Sequence, residues 1–151
     1  MSNPKPLVAV ACFCENVLEE QDGVVSAIRI VDTYIIPPLP EGIEIPPDAV
    51  RGVILLKGLV SFKSGDFVGP GIIHLMMHRT TGEVARLSPP EGFPVELKGG
   101  EHGANLKLQI PLGVKNFGLF WFDVLWGDEL LTRIPLRLRQ GERLDEANAP
   151  S

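Results

Sequence analysis

Apolar and polar positions alternate with a period of two along most of this chain, and they do so most clearly in FGLFWFDVLWGDELLTRIPLRL, residues 117–138. Phe120, Phe122, Val124 and Trp126 share one parity, as do Leu130, Thr132, Ile134, Leu136 and Leu138. Side chains alternate faces along a strand, so each arm presents a mostly apolar stripe and the segment reads as a β-hairpin. Two registers compete. A two-residue Gly127-Asp128 turn sets Phe122 opposite Arg133 and brings Asp123 onto the apolar face. A three-residue turn over Gly127, Asp128 and Glu129 pairs Phe122 with Ile134, Phe120 with Leu136 and Trp126 with Leu130, and places Asp123 opposite Arg133 on the other face. Because a slip of one residue moves the whole apolar set to the wrong side, the three-residue turn is expected. Each large side chain it buries contributes roughly 1.5–3 kcal/mol. Pro135 donates no ladder hydrogen bond, which predicts an edge strand or a bulge there.

The same reading assigns strands along the rest of the chain. Residues 7–14 form an apolar run expected to be buried on both faces, and Glu15 to Gly23 is expected to break it, an acidic stretch around Val17 and Leu18 that closes on the Asp22-Gly23 turn pair. Residues 24–36 are rich in β-branched side chains, and Arg29 and Asp32 interrupt them on opposite parities, so this strand is expected to change environment midway. Residues 37–47 hold five prolines and read as an extended crossing loop. Val53-Ile54-Leu55-Leu56 implies burial on both faces, Gly58 a bulge, and Ser64-Gly65-Asp66 a turn. Ile73, Leu75 and Met77 oppose His74, Met76 and His78 in parity, and Thr80 to Glu83 makes a turn. Phe93, Val95 and Leu97 mark one half-exposed strand and Leu106, Leu108 and Ile110 another, with the glycine-rich residues 99–103 as the loop between them. Some eight short strands, no convincing helical period and no internal repeat predict an all-β, immunoglobulin-like antiparallel β-sandwich, with a jelly roll as the rival topology. The sandwich is expected over residues 1–139, with 140–151 as a flexible tail.

Composition narrows the function. A chain of 151 residues can bury one core, and 44% hydrophobic against 22% charged residues excludes disorder. Sixteen glycines and 14 prolines are too many for a helical bundle. A net charge of −5 argues against a sequence-independent grip on nucleic acid. Arg133, Arg137, Arg139 and Arg143 form the basic exception, read as a solvated strand face and tail. The Lys5 to Cys12 segment has an apolar run shorter than the roughly 7–15 residues of an export signal, and no stretch approaches the roughly 18 apolar residues of a membrane span. Cys12 and Cys14 lie about 7 Å apart on one strand face, too far for a disulfide, so they are read as free buried thiols in a reducing cytoplasm.

No pattern predicts catalysis, a cofactor or a small-molecule substrate. His74 and His78 share a face at about 13 Å, too far apart to ligate one metal ion. There is no nucleophile elbow and no phosphate loop. What remains is a surface. In the expected register Leu119, Trp121, Leu125 and Leu131 fall on the outer side of the hairpin around Asp123 and Arg133. An apolar patch rimmed by charge marks either an association site or a face covered by another segment of the domain.

The segments Cys14 to Leu18, Asp22 to Ser26 and Arg29 to Asp32, together with the hairpin ending Pro135-Leu136-Arg137-Leu138, resemble a family of uncharacterised bacterial proteins with an immunoglobulin-like β-sandwich. The resemblance spans residues 12–138 and implies the fold; it carries over no activity and no site. The expected role is a cytoplasmic, non-catalytic module that binds a protein or its own copy. A structural component of a phage-like assembly and an exported carbohydrate- or surface-binding module stand as alternatives.

Overall fold

A computed structural model of the chain describes residues 5–46 and 49–141. The expected tail beyond Gly141, including Arg143, and Pro47 of the crossing loop lie outside these residues. Eight strands carry the fold: β1 (Leu7–Glu19), β2 (Val25–Val31), β3 (Thr33–Ile36), β4 (Gly52–His78), β5 (Val84–Arg86), β6 (Phe93–Val114), β7 (Gly118–Trp126) and β8 (Glu129–Gln140). Among the described residues there is no helix, and so none long and apolar enough to cross a membrane.

The strands hydrogen-bond in the order β2-β1-β4-β7-β8-β3, with β5 and β6 also paired to β4. The 27-residue β4 is the spine. Its first half lies between β1 and the second half of β6; its second half lies between β7 on one edge and β6 and β5 on the other. One continuous sheet thereby supplies both layers of the sandwich. The layers meet where the ring of Phe13 on β1 packs edge-on against Phe122 on β7, with centroids 4.8 Å apart. Phe62, Leu75, Met77, Leu108, Phe120 and Leu136 complete the dry interior.

A strand this long must bend to join two layers, and glycine supplies the bend. Gly65 pairs with Gly100, both with positive φ (58° and 63°), and the β4–β6 register shifts on either side of Gly65. Positive φ costs glycine nothing, and bulges increase local twist. The turn expected at Ser64-Gly65-Asp66 and the loop expected at 99–103 are therefore two facing irregularities in one ladder, and the two half-exposed segments of β6 are a single strand.

Other elements follow the sequence with specific changes. The residues 24–36 strand does change environment: Val31 pairs with Phe13 on β1, the chain bends at Asp32, and Thr33 pairs with Arg137 on β8. The β3–β8 pair is parallel within an otherwise antiparallel sheet, and the Arg137 amide donates to the Asp32 carbonyl at 2.9 Å. The Val53 to Leu56 run is buried on one face only, since Val53 is 71% exposed. Gly58 keeps register with both neighbours and is no bulge. In the first strand only Cys12, Phe13 and Cys14 are buried in succession, while Leu7 and Val10 are exposed.

Candidate functional site

The β7–β8 hairpin resolves the competition between registers by using both. Its turn is the two-residue Gly127-Asp128, because Trp126 pairs with Glu129. Beyond a register shift at Val124/Leu125 the ladder continues as Val124 with Thr132, Asp123 with Arg133, Phe122 with Ile134 and Phe120 with Leu136. The body is the register expected from a three-residue turn; the turn itself is not. A bulge at Leu131 absorbs the extra residue. Gly127, with φ of 62°, fits the left-handed backbone of a tight hairpin turn.

The bulge corrects two side chains. Leu130, expected inside, pairs with Leu125 and is 44% exposed. Leu131, expected on the outer patch, packs partly against the core. The remaining candidates share the outer face as the parity required. Leu119 and Trp121 are 38% and 40% exposed, Leu125 is half-buried, and Arg133 is exposed. The alternative of a covering segment does not hold for Leu119 and Trp121 among the described residues.

Neighbouring strands extend this face. His74, Met76 and His78 of β4 pair with Leu125, Asp123 and Trp121; Val84 and Arg86 of β5 pair with His78 and Met76. On β8, Arg133, Pro135 and Arg137 pair with Asp123, Trp121 and Leu119, and Arg139 follows at the same parity. Pro135 lies where the far edge of β8 is open, since β3 covers β8 only from Arg137 onward. That agrees with the edge position its missing amide requires.

At the centre, Asp123 has a side chain only 12% exposed, and a buried carboxylate needs partners. It has two. Arg133 Nε donates to Oδ1 at 2.7 Å, and His78 Nε2 lies 2.7 Å from Oδ2. Arg133 is the cross-strand neighbour of Asp123 and His78 a diagonal one, the geometry that lets side chains on one sheet face meet. The Arg133 guanidinium also sits 5.9 Å from the Trp121 ring centroid, within cation–π range. Among the described residues no buried side-chain polar atom lacks a partner. His78 is the member that sequence reasoning missed as a site residue. Its parity with His74 and Met76 was visible, but which strand lies beside β4 was not.

The chemistry available is that of a fixed surface. His78 Nε2 is occupied by Asp123, and among the described residues no hydroxyl or thiol hydrogen-bonds its ring. His74 Nδ1 lies 3.1 Å from Ser88 Oγ, but that hydroxyl accepts from the Leu75 amide at 3.1 Å and Ser88 is buried, so it ties backbone together. A shallow cleft of about 240 Å³ opens between His74, Met76, Arg86, Pro90 and Leu125. That is below the roughly 300–1,000 Å³ typical of small-molecule sites. No group of three or more metal-ligating side chains is found among the described residues.

Away from the face, Cys12 and Cys14 are free and buried in a small cluster with Val17 and Leu59. Burial raises both thiol pKa values, and at Cys14 the neighbouring Cys12 raises it further. Burial also raises the Tyr34 hydroxyl, which donates to the Cys14 carbonyl at 3.4 Å and ties β3 to β1.

No protein-family model matches the chain, and no curated protein matches it. Among solved structures the chain is similar to an immunoglobulin-like protein from Pseudomonas aeruginosa, at 12% identity and a TM-score of 0.38, over 89% of this chain and 97% of that one. No residue role follows from an overlap that loose.

Proposed function

We propose that the chain is a non-catalytic association module whose working surface is the outer face of β5, β4, β7 and β8. One observation carries this reading: Trp121 stands 40% exposed beside a carboxylate held from both sides by His78 and Arg133. Holding Arg133 in place lowers the entropy lost when a partner engages it, and Trp and Arg are the side chains that most often anchor interfaces. Leu119, Leu130 and Val84 add exposed apolar area around the anchor. The buried free thiols of Cys12 and Cys14 support a reducing, cytoplasmic setting.

Immobilised wild-type and Trp121→Glu proteins, compared for what each retains and identified by mass spectrometry, test the reading. Loss in the variant of partners or copies of the chain held by the wild type supports it. A folded variant that keeps everything the wild type keeps removes this face from consideration.

A further inference from the structure

We propose that the occupant of this face is the β1–β2 hairpin end of a second copy of the chain, docked head to tail. The inference rests on the face being the working surface, and it is carried by the way charge is divided over the molecule.

Although the chain is net negative at −5, its outer β5-β4-β7-β8 face holds Arg86, Arg133, Arg137 and Arg139 against Asp123 at its centre and Asp128 beside the cleft at its hairpin end. Asp123 is already committed to His78 and Arg133. Neither Arg137 nor Arg139 has an ion-pair partner among the described residues. Two such faces meeting symmetrically would bring the unpaired Arg137 and Arg139 of both copies into one contact, and like charges facing each other at an interface cost several kcal/mol. Repulsion between the unpaired arginines therefore disfavours the isologous dimer and favours an acidic surface with apolar content.

The chain carries one at its other end. Glu19, Glu20 and Asp22 surround the turn between β1 and β2, all exposed and none in an ion pair among the described residues. The same end shows exposed apolar side chains: Leu18 before the turn, Val24 after it, and Ile28 further along β2. Ladder pairing sets Leu18 opposite Ser26, and Asn16 opposite Ile28, and all four side chains are exposed. Acid with aliphatic residues at one end meets arginine with an aromatic on the other face.

Association through sheet edges, the usual competitor, is blunted. In edge strand β2, Arg29 has a left-handed backbone (φ 55°) and pairs with Glu15 at 2.9 Å, which interrupts the flat template that strand addition needs. Edge strand β6 carries Pro94 and Pro111. Two different patches in contact give a heterologous, chain-extending mode.

The test uses two double charge reversals, Arg137→Glu/Arg139→Glu on the face and Glu19→Lys/Glu20→Lys on the hairpin, followed by sedimentation velocity at low salt. Wild type is expected to grow with concentration and to shrink as salt rises. Each variant alone is expected to bind itself about tenfold more weakly or worse. Mixing the two variants is expected to restore growth with concentration, because the unaltered hairpin of one meets the unaltered face of the other and the two reversed patches are complementary in turn, and one chain carrying both reversals is expected to regain association for the same reason. If the face variant and Trp121→Glu lose association while the hairpin variant keeps it, the occupant is wrong and the working surface stands. If the face variants associate as the wild type does, the surface reading fails as well. A wild type that is monomeric at every concentration and salt overturns the proposal without reference to any variant.

Discussion

His78 Nε2 lies 2.7 Å from Asp123 Oδ2, joining β4 to β7 across 45 residues of sequence on the outward side of the sheet. Arg133 closes the other side of the same carboxylate at 2.7 Å. The two contacts make a polar knot of what would otherwise be a costly buried charge, and they fix the guanidinium beside Trp121.

Asp123→Asn is therefore expected to destabilise the fold by about 1–2 kcal/mol, since a mostly buried group loses its charge-assisted hydrogen bonds. Arg133→Gln is expected to cost less, under about 1 kcal/mol, because Arg133 is half exposed and solvent screens the pair. Urea denaturation of the two single variants and the double variant gives the coupling directly. Equal costs for the two singles would show that Asp123 is not the buried centre of the knot.

Leu130 and Leu131 offer a test of the bulge. Leu131→Asp is expected to lose about 1–3 kcal/mol by placing a charge against the core, whereas Leu130→Asp is expected to change stability by less than about 0.5 kcal/mol. The reverse order is what a strict three-residue turn requires. Thermal unfolding of both variants distinguishes them.

The two thiols and Tyr34 give stability a pH dependence. Burial raises all three above their ordinary values of 9.0 for the thiols and 10.0 for the phenol. Below those values folded and unfolded chains hold the same protons. Above them the unfolded chain releases protons that the folded chain retains, so stability falls as pH rises. The urea midpoint is expected to decline from about pH 9 upward. In Cys12→Ala/Cys14→Ala it should start lower and decline less steeply, with Tyr34 sustaining part of the slope. A decline of equal slope in that variant would show that the thiols contribute nothing to it.

Much of the fold was legible because strand periodicity is two and apolar residues must share a side. Phe122 faces Ile134, and Asp123 faces Arg133, for that reason alone. The bulge at Leu131 was not legible: the Gly127-Asp128 turn and the body register are each satisfiable, and only a structure shows one extra residue reconciling them. Glycines misled in a related way. Gly65, Gly99 and Gly100 have the composition of turns, yet they bend an unbroken ladder, because positive φ serves either use. The Val53 to Leu56 run suggested burial on both faces, but Val53 and Leu55 point outward where no second layer covers them. Of the site, the parity of Trp121, Asp123 and Arg133 was readable. The partnership with His78 depended on β7 lying against the second half of β4, a long-range pairing that no local pattern encodes.

The central claim is that the outer sheet face around Trp121 is a contact surface, and sedimentation velocity of wild type and Trp121→Glu side by side at low salt tests it most directly. The account predicts a sedimentation coefficient that rises with concentration for the wild type and stays at the monomer value for the folded variant. Identical, concentration-independent boundaries for the two proteins would contradict it.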